Sequence, residues 1–319
     1  MKKKALIIGG SGQDAIEMHL LLKEKNYKIL SLTRNKKFIK KNKFLDDFKL
    51  CSIQNHNKLI QIIKNFKPTV IYNFSGITNV NESKKKILLN DYVNNYSYLS
   101  LLQNLVMINY KGKIFQSLSA ELFGDYNYKK LNRKKFSPIN PYSISKLSSY
   151  YYSLYFRKNF KLKIYCGFFF NHDSKFTNKK HLIYFIFKNF NKIKKKQIKH
   201  FTIDNIRAKR DWNFAPDFIK TVWKKLNQKK PNDFIIRSGK YNTVEDVINV
   251  CSIYFNIPLK KKIIKKKIIF INKNNNSPII YAKSFMEKVQ DLNYYIDDTK
   301  INKKNKILKI IQDMDLKTY

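Results

Sequence analysis

From the amino terminus to about residue 170, the apolar positions fall into two alternating patterns. Short uninterrupted runs such as Ala5-Leu6-Ile7-Ile8 suit strands buried on both faces. Longer stretches with apolar residues three and four apart suit helices with one covered face. The runs predict strands at Lys4 to Ile8, Tyr27 to Thr33, Thr69 to Phe74 behind Pro68, Lys113 to Leu118 and Leu162 to Phe170, with a weaker one at Leu50 to Ile53. The helical spacing covers Ala15 to Lys25, Leu59 to Phe66, one long helix from about Ile87 to Met107, and Pro141 to about Phe160. Strand and helix in alternation predict an α/β fold with a doubly wound parallel sheet of the Rossmann type. Beyond Phe170 the pattern loosens into mixed elements and Lys/Asn-rich connections, with a linker-like stretch at Asn272 to Ser277 before a last helical region. The expected division is a cofactor domain over 1–170, with contributions from about 201–250, and a smaller substrate lobe over 171–319. That lobe is expected over the carboxyl edge of the sheet.

Composition changes this picture little. Hydrophobic residues make up 43% of the 319, which predicts a packed core. The apolar run after Met1-Lys2-Lys3-Lys4 stops at Gly9-Gly10, too soon for a secretory leader, and no run is long enough for a membrane span. Three scattered cysteines, Cys51, Cys166 and Cys251, form neither a disulfide framework nor a metal-site spacing, so a reducing cytoplasm and no metal are expected. The formal charge of +43 invites a nucleic-acid or anionic-membrane reading. Against it, only six of the 65 basic residues are arginine, the better bidentate reader of phosphates and bases. The lysines are spread along the chain with Asn, Ile, Phe and Tyr, the composition an AT-rich genome imposes. The densest cluster, Lys260 to Lys262 and Lys265 to Lys267, reads as a solvated face. Neither a specific nucleic-acid partner nor a membrane is expected, although a positive field favours anionic substrates.

Four constellations carry chemistry. Gly9-Gly10-Ser11-Gly12-Gln13-Asp14-Ala15 joins the first strand to its helix. Gly9 permits the tight turn, Gly12 lets a pyrophosphate approach the backbone, and the small Ala15 allows close helix–strand packing. At the end of the second strand, Arg34 is placed to accept the 2′-phosphate of NADP, where an acid would favour NAD; it reads equally as another surface cation. Tyr142 and Lys146 share a helix face, so the ammonium is expected to lower the phenol pKa and make a usable base. Ser119 and Glu121, just past the fifth strand, bring a hydroxyl and a carboxylate to the sheet's carboxyl edge in a chain with only 22 acids.

Together these residues resemble the extended short-chain dehydrogenase/reductase (NAD-dependent epimerase/dehydratase) family. Longer stretches resemble its GDP-mannose 4,6-dehydratase branch in colinear order over roughly residues 1–250. They are Ala5 to Gly9 with Gly12-Gln13-Asp14, Lys67 to Asn73, Glu121-Leu122-Phe123-Gly124, Pro141-Tyr142 with Lys146, Phe170 to Ser174, and Ala208 to Trp212 followed by Asp217. The resemblance implies an NADP-dependent hydro-lyase acting on a nucleoside-diphosphate hexose, GDP-mannose foremost, as a homodimer or homotetramer. It implies Tyr142 as the base at the C4 hydroxyl, Lys146 orienting the nicotinamide ribose, Glu121 removing the C5 proton and Ser119 holding the C4 oxygen. Gly9, Gly12, Gln13, Asp14 and Arg34 would meet the cofactor, and Asn171 and Arg210 the substrate, Arg210 at its diphosphate. The sequence departs from the pattern at Ala15 (a third Gly), Ser52 (an adenine-contacting Asp) and Ala120 (a polar residue). It departs also at Lys175 to Asn178, in place of an Arg-rich loop, and around Phe270 to Asn275, which lacks an Arg-Pro. A 4-keto-sugar-nucleotide reductase or epimerase, or a non-catalytic Rossmann module, would share most of these residues.

Overall fold

The computed structural model describes residues 2–41, 47–124, 136–264, 267–282 and 306–316. They form two compact units, one within Met1–Phe170 and Ala215–Ile236, the other within Asn171–Phe214, Arg237–Leu292 and Lys300–Tyr319.

The first unit alternates strand and helix: β1 (Lys4–Ile8), α1 (Gln13–Glu24), β2 (Lys28–Thr33), α2 (Lys36–Lys41), β3 (Phe48–Leu50), α3 (His56–Phe66) and β4 (Val70–Asn73). Then follow α4 (Val80–Lys85), α5 (Ile87–Asp91), a π-helical stretch Tyr92–Tyr96, α6 (Ser97–Met107), β5 (Lys113–Ser119), α7 (Pro141–Phe160) and β6 (Lys163–Phe169). Strand Asp233–Ile236 joins the far side of β6, giving a seven-stranded sheet in the order Asp233–Ile236, β6, β5, β4, β1, β2, β3, with every pair parallel. This is the doubly wound Rossmann arrangement, and its strand order reverses between β1 and β4. β1 is central, so Ala5, Leu6 and Ile7 are wholly buried, and an all-apolar run is the only one such a position tolerates. Helix Ala215–Leu226 packs on α1.

Two expectations need correction. The third strand is Phe48–Leu50, not Leu50 to Ile53, because its partners are Ser31, Leu32 and Thr33 and the chain turns away at Cys51. The single helix expected over Ile87 to Met107 is α5, the π stretch and α6 in succession. An extra residue is accommodated in the middle, and periodicity alone does not show it.

The second unit has a four-stranded sheet in the order Leu259–Ile264, Lys267–Asn272, Pro278–Ala282, Phe201–Ile203. Helices Leu182–Lys194, Val244–Tyr254 and Lys306–Asp315 cover it with a core that includes Phe187, Phe190, Cys251, Phe255, Phe270 and Ile310. Lys260, Lys261 and Lys262 are exposed but lie on a strand; Lys265 and Lys266 fall outside the described residues. The stretch Asn272 to Ser277 is a tight hairpin turn, closed by Asn272 N to Ser277 O (2.9 Å) and by Asn276 in the left-handed region. Asn favours such turns, which explains a composition that resembles a linker. Among the described residues no helix is long and apolar enough to cross a membrane.

Candidate active site

At the point where the strand order reverses, the turn after β1 approaches the loop after β4. Gly9 has φ +89°, and a Cβ there would lie 2.8 Å from the Ser75 nitrogen, so a side chain is excluded by both conformation and space. Gly9 N and Gly10 N donate to the Leu32 carbonyl at 3.0 and 2.7 Å, and Gly12 N donates to Gly9 O at 2.9 Å. Gly12 is the N-cap of α1 and supplies no side chain to the first-turn amides, which leaves the positive end of the helix to an incoming anion. Gln13 and Asp14 open the helix, with Gln13 Nε2 donating to Asp14 Oδ1 at 3.3 Å. Ala15 is wholly buried. This cradle fits a dinucleotide pyrophosphate.

The tip of β2 is tied to the same turn: Thr33 Oγ1 donates to Ser11 Oγ at 2.9 Å, and Asn35 N donates to Thr33 Oγ1. Arg34 stands exposed beside them, with no carboxylate in Thr33 to Lys36. Ser52 turns inward on its own loop, hydrogen-bonded with Gln54.

The start of α7 is set by sequence. Asn140 Oδ1 accepts from Ser143 N (2.9 Å), Asn140 N donates to Ser143 Oγ (3.2 Å), and Pro141 occupies the first helical turn. That cap is worth about 1 kcal/mol and fixes Tyr142 and Lys146 one turn apart on the helix face toward β5. Lys146 is buried, its ammonium donating to Ser117 O at 3.0 Å, and burial pushes its pKa down to about 8.

Tyr142 is buried as well. Burial pushes its phenol up to about 12, a hydrogen bond with the Ser119 side chain opposes that, and the charges of Glu121 and Asp14 add to the rise. The expectation that Lys146 lowers this phenol is therefore overturned: the desolvation cost of a buried phenolate prevails, and Ser119, not Lys146, is the group that opposes it. Glu121 lies on a short 3₁₀ turn, Ala120–Phe123, capped by Ser119 Oγ accepting from Glu121 N. Its carboxylate is exposed and accepts from Asn140 Nδ2 at 3.3 Å. Ser119, Glu121, Tyr142 and Lys146 thus meet around the end of β5.

Three features escaped the sequence reading. Gly76 lies against this cluster: a Cβ there would come within 2.7 Å of Asn94 Oδ1 and 3.4 Å of Lys146 Nζ. Asn94, buried in the π stretch, binds the Ile77 backbone through both Oδ1 and Nδ2 and reaches Asn90, while its carbonyl accepts from Ser149 Oγ at 2.6 Å. Asn90 in turn donates to Pro141 O and Ser145 Oγ. The loop after β4, the π stretch and α7 are therefore one hydrogen-bonded wedge behind Lys146. A glycine two residues past a predicted strand end, in a chain with only eight, was the available signal.

In the second unit, Asn171 is exposed, and its carbonyl accepts from the Asn213 backbone and side chain. Arg210 is exposed on a short strand paired with Asn242–Thr243, its Nη1 donating to Lys209 O. The adjacent Asp211 is buried and accepts from Ser238 Oγ (2.6 Å), Gly239 N (2.8 Å) and Asn213 Nδ2 (2.8 Å). Burial raises its pKa, and these hydrogen bonds pull against the rise.

A family model described as GDP-mannose 4,6 dehydratase matches residues 6–306. A GDP-mannose 4,6 dehydratase of Homo sapiens is 27% identical over 293 residues, 85% of this chain and 75% of that protein. The GDP-mannose 4,6-dehydratase of Vibrio cholerae is 26% identical over 276 residues, 81% of this chain and 74% of that one. Among solved structures, a UDP-glucose 4-epimerase of Thermotoga maritima with UDP-glucose superposes with a TM-score of 0.78 at 15% identity, covering 99% of both chains. A dTDP-glucose 4,6-dehydratase of Bacillus anthracis in complex with NAD gives 0.75 at 17% identity, covering 98% of this chain and 97% of that one. At such identities the two structures speak for the fold.

Proposed function

The chain belongs to the GDP-mannose 4,6-dehydratase family, and from that premise we propose that it is an NADP-dependent hydro-lyase. In this reading it converts a nucleoside-diphosphate hexose, GDP-mannose foremost, to the 4-keto-6-deoxy sugar. The observation that carries the reading is the meeting of Tyr142, Ser119 and Glu121 at the end of β5 over the buried Lys146.

When bound, a nicotinamide would supply reversible hydride exchange between C4 and C6 of the sugar. Gly9, Gly12 and the first turn of α1 with Gln13 and Asp14 would hold its pyrophosphate, and Arg34 its 2′-phosphate. Tyr142 takes the proton of the C4 hydroxyl, and Ser119 holds the oxygen through the hydroxyl that already bonds Tyr142. Lys146 keeps the ribose in place from a position fixed by Ser117. The C4 ketone acidifies C5–H, and Glu121, hydrogen-bonded to Asn140, removes that proton. Ala120 has no proton to give, so the carboxyl of Glu121 hands its proton to the departing C6 hydroxyl, which leaves as water; a solvent proton then reaches C5 through Glu121 as C6 is reduced, and Tyr142 releases the C4 hydroxyl proton to solvent. Asn171 and Arg210 bind the substrate, Arg210 pairing with the diphosphate. Self-association belongs to the same reading.

The test is Glu121→Gln, which keeps shape and polarity but cannot accept the C5 proton. Purified variant and unmodified chain are incubated with GDP-mannose in deuterated water, and the product mass is read. The unmodified chain is expected to lose water and carry deuterium at C5. The variant is expected to bind NADP yet dehydrate roughly 100-fold more slowly or worse. Dehydration by the variant at the unmodified rate would remove Glu121 from the mechanism. A 4-keto-sugar reductase or epimerase would show no loss of water in either protein.

A further inference from the structure

All strands of the large sheet run one way, so their first residues share the edge opposite Gly9 and Ser119. At that edge lies a cavity of about 740 Å³, formed around the entries to β1, β2, β4, β5 and β6. Its lining combines aromatic side chains (Tyr27, Tyr72 and Tyr110) with six lysines, Lys3, Lys113 and Lys163 among them, and contains no acid among the described residues.

Among the described residues these cations have no carboxylate partner. Lys113 Nζ donates to the carbonyls of Leu226 and Gln228, and Lys3 lies over the Tyr27 ring at 6.0 Å. Burial first, then repulsion from Lys3 and Lys163, holds the Lys113 ammonium below its ordinary pKa. Tyr72 is 1% exposed and lines the cavity, yet its hydroxyl makes no hydrogen bond to a described residue. The Tyr72 hydroxyl opens on the cavity, so a donor stands beside mutually repelling ammonium groups, and an incoming anion would meet both.

We propose that this cavity is a second binding site, for a nucleoside monophosphate, with the base among the tyrosines and the phosphate on Lys3, Lys113 and Lys163. The volume falls within the range of small-molecule sites, roughly 300–1,000 Å³. Aromatic rings stack with any base, and lysine binds phosphate as a point charge. The five residues of β1 put about 16 Å between this site and the Gly9 turn. A ligand here therefore does not displace one bound at the carboxyl edge. The site stands whether or not the dehydratase reading does.

The experiment titrates AMP and UMP into the full-length chain by calorimetry, with NADP and GDP present in excess to fill the carboxyl edge. Amide hydrogen exchange locates the bound nucleotide. One further equivalent is expected to bind, protecting 67–72 and 108–113. Replacing two exposed lysines together, Lys3→Gln with Lys163→Gln, is expected to weaken binding roughly tenfold or more and leave turnover unchanged. Tyr72→Phe is expected to weaken it less. Three outcomes would overturn the proposal: no saturable binding, unchanged affinity in the lysine double variant, or inorganic phosphate binding as tightly as AMP, which would mark only a patch of charge.

Discussion

Two stretches at the carboxyl edge of the same sheet are built in opposite ways. Around the end of β5, the candidate catalytic side chains are buried or tied down: Lys146 on Ser117, Tyr142 on Ser119, Glu121 on Asn140, with the wedge of Asn90, Asn94 and Ser149 behind them. At the tip of β2, Thr33 is fixed to Ser11, but Arg34 beside it stands in solvent. The contrast teaches where electrostatics has force. Burial is the main cause that pushes the Tyr142 phenol up to about 12 and the Lys146 ammonium down to about 8, each toward its neutral form. Arg34 stands in a high dielectric, where a single contact is weak and screened by salt.

The sharpest break with this comparison would come from Tyr142→Phe. Removing the phenol should lower turnover on a nucleotide sugar by roughly 10²–10⁴-fold with NADP affinity retained, measured by steady-state kinetics beside cofactor titration. Near-normal turnover would mean that the buried cluster is structural.

Next in size is a stability effect of Lys146. Its folded pKa of about 8 lies below the ordinary 10.5, so the unfolded chain keeps a proton that the folded chain gives up between these values. The contribution of this group to stability therefore rises as pH climbs from about 8 to about 10.5, and its burial costs up to about 3 kcal/mol at neutrality. Lys146→Met should be the more stable protein near neutrality and the inactive one, with its advantage shrinking at high pH. Urea unfolding of both proteins at about pH 7 and about pH 10 measures this, and parallel pH dependences would contradict it.

The smallest effect belongs to the β2 tip. Arg34→Ala should cut the preference for NADP over NAD by about 1 kcal/mol, less in high salt, read from paired cofactor titrations. Equal affinity for both cofactors in the unmodified chain would remove Arg34 from the site.

The sequence made one of these stretches far more legible than the other features around it. β1 shows in Ala5 to Ile8 because a strand buried on both faces must be apolar throughout. The start of α7 shows in Asn140-Pro141 because caps have few chemical solutions. β3 was misplaced because it is three residues long at the sheet's edge, where neither face enforces a pattern. Asn90, Asn94 and Gly76 went unread since their meaning lies in contacts across the fold, and a buried Asn resembles any other in an Asn-rich chain. The hairpin around Asn272 to Ser277 was hidden for the same reason: Lys and Asn cover strand and turn alike.

The π stretch has a consequence for which mutations the protein tolerates. One residue more or less in a helix turns everything beyond it by about 100°. A single-codon deletion between Tyr92 and Tyr96 would make the helix regular, yet either Asn90 and Asn94 would swing away from α7 or Leu101, Leu102 and Leu105 would swing out of the core. Substitutions at the exposed Tyr92 and Tyr96 leave that phase untouched. The alignment of the wedge behind Lys146 therefore depends on how many residues this stretch holds, more than on which side chains its outer face carries.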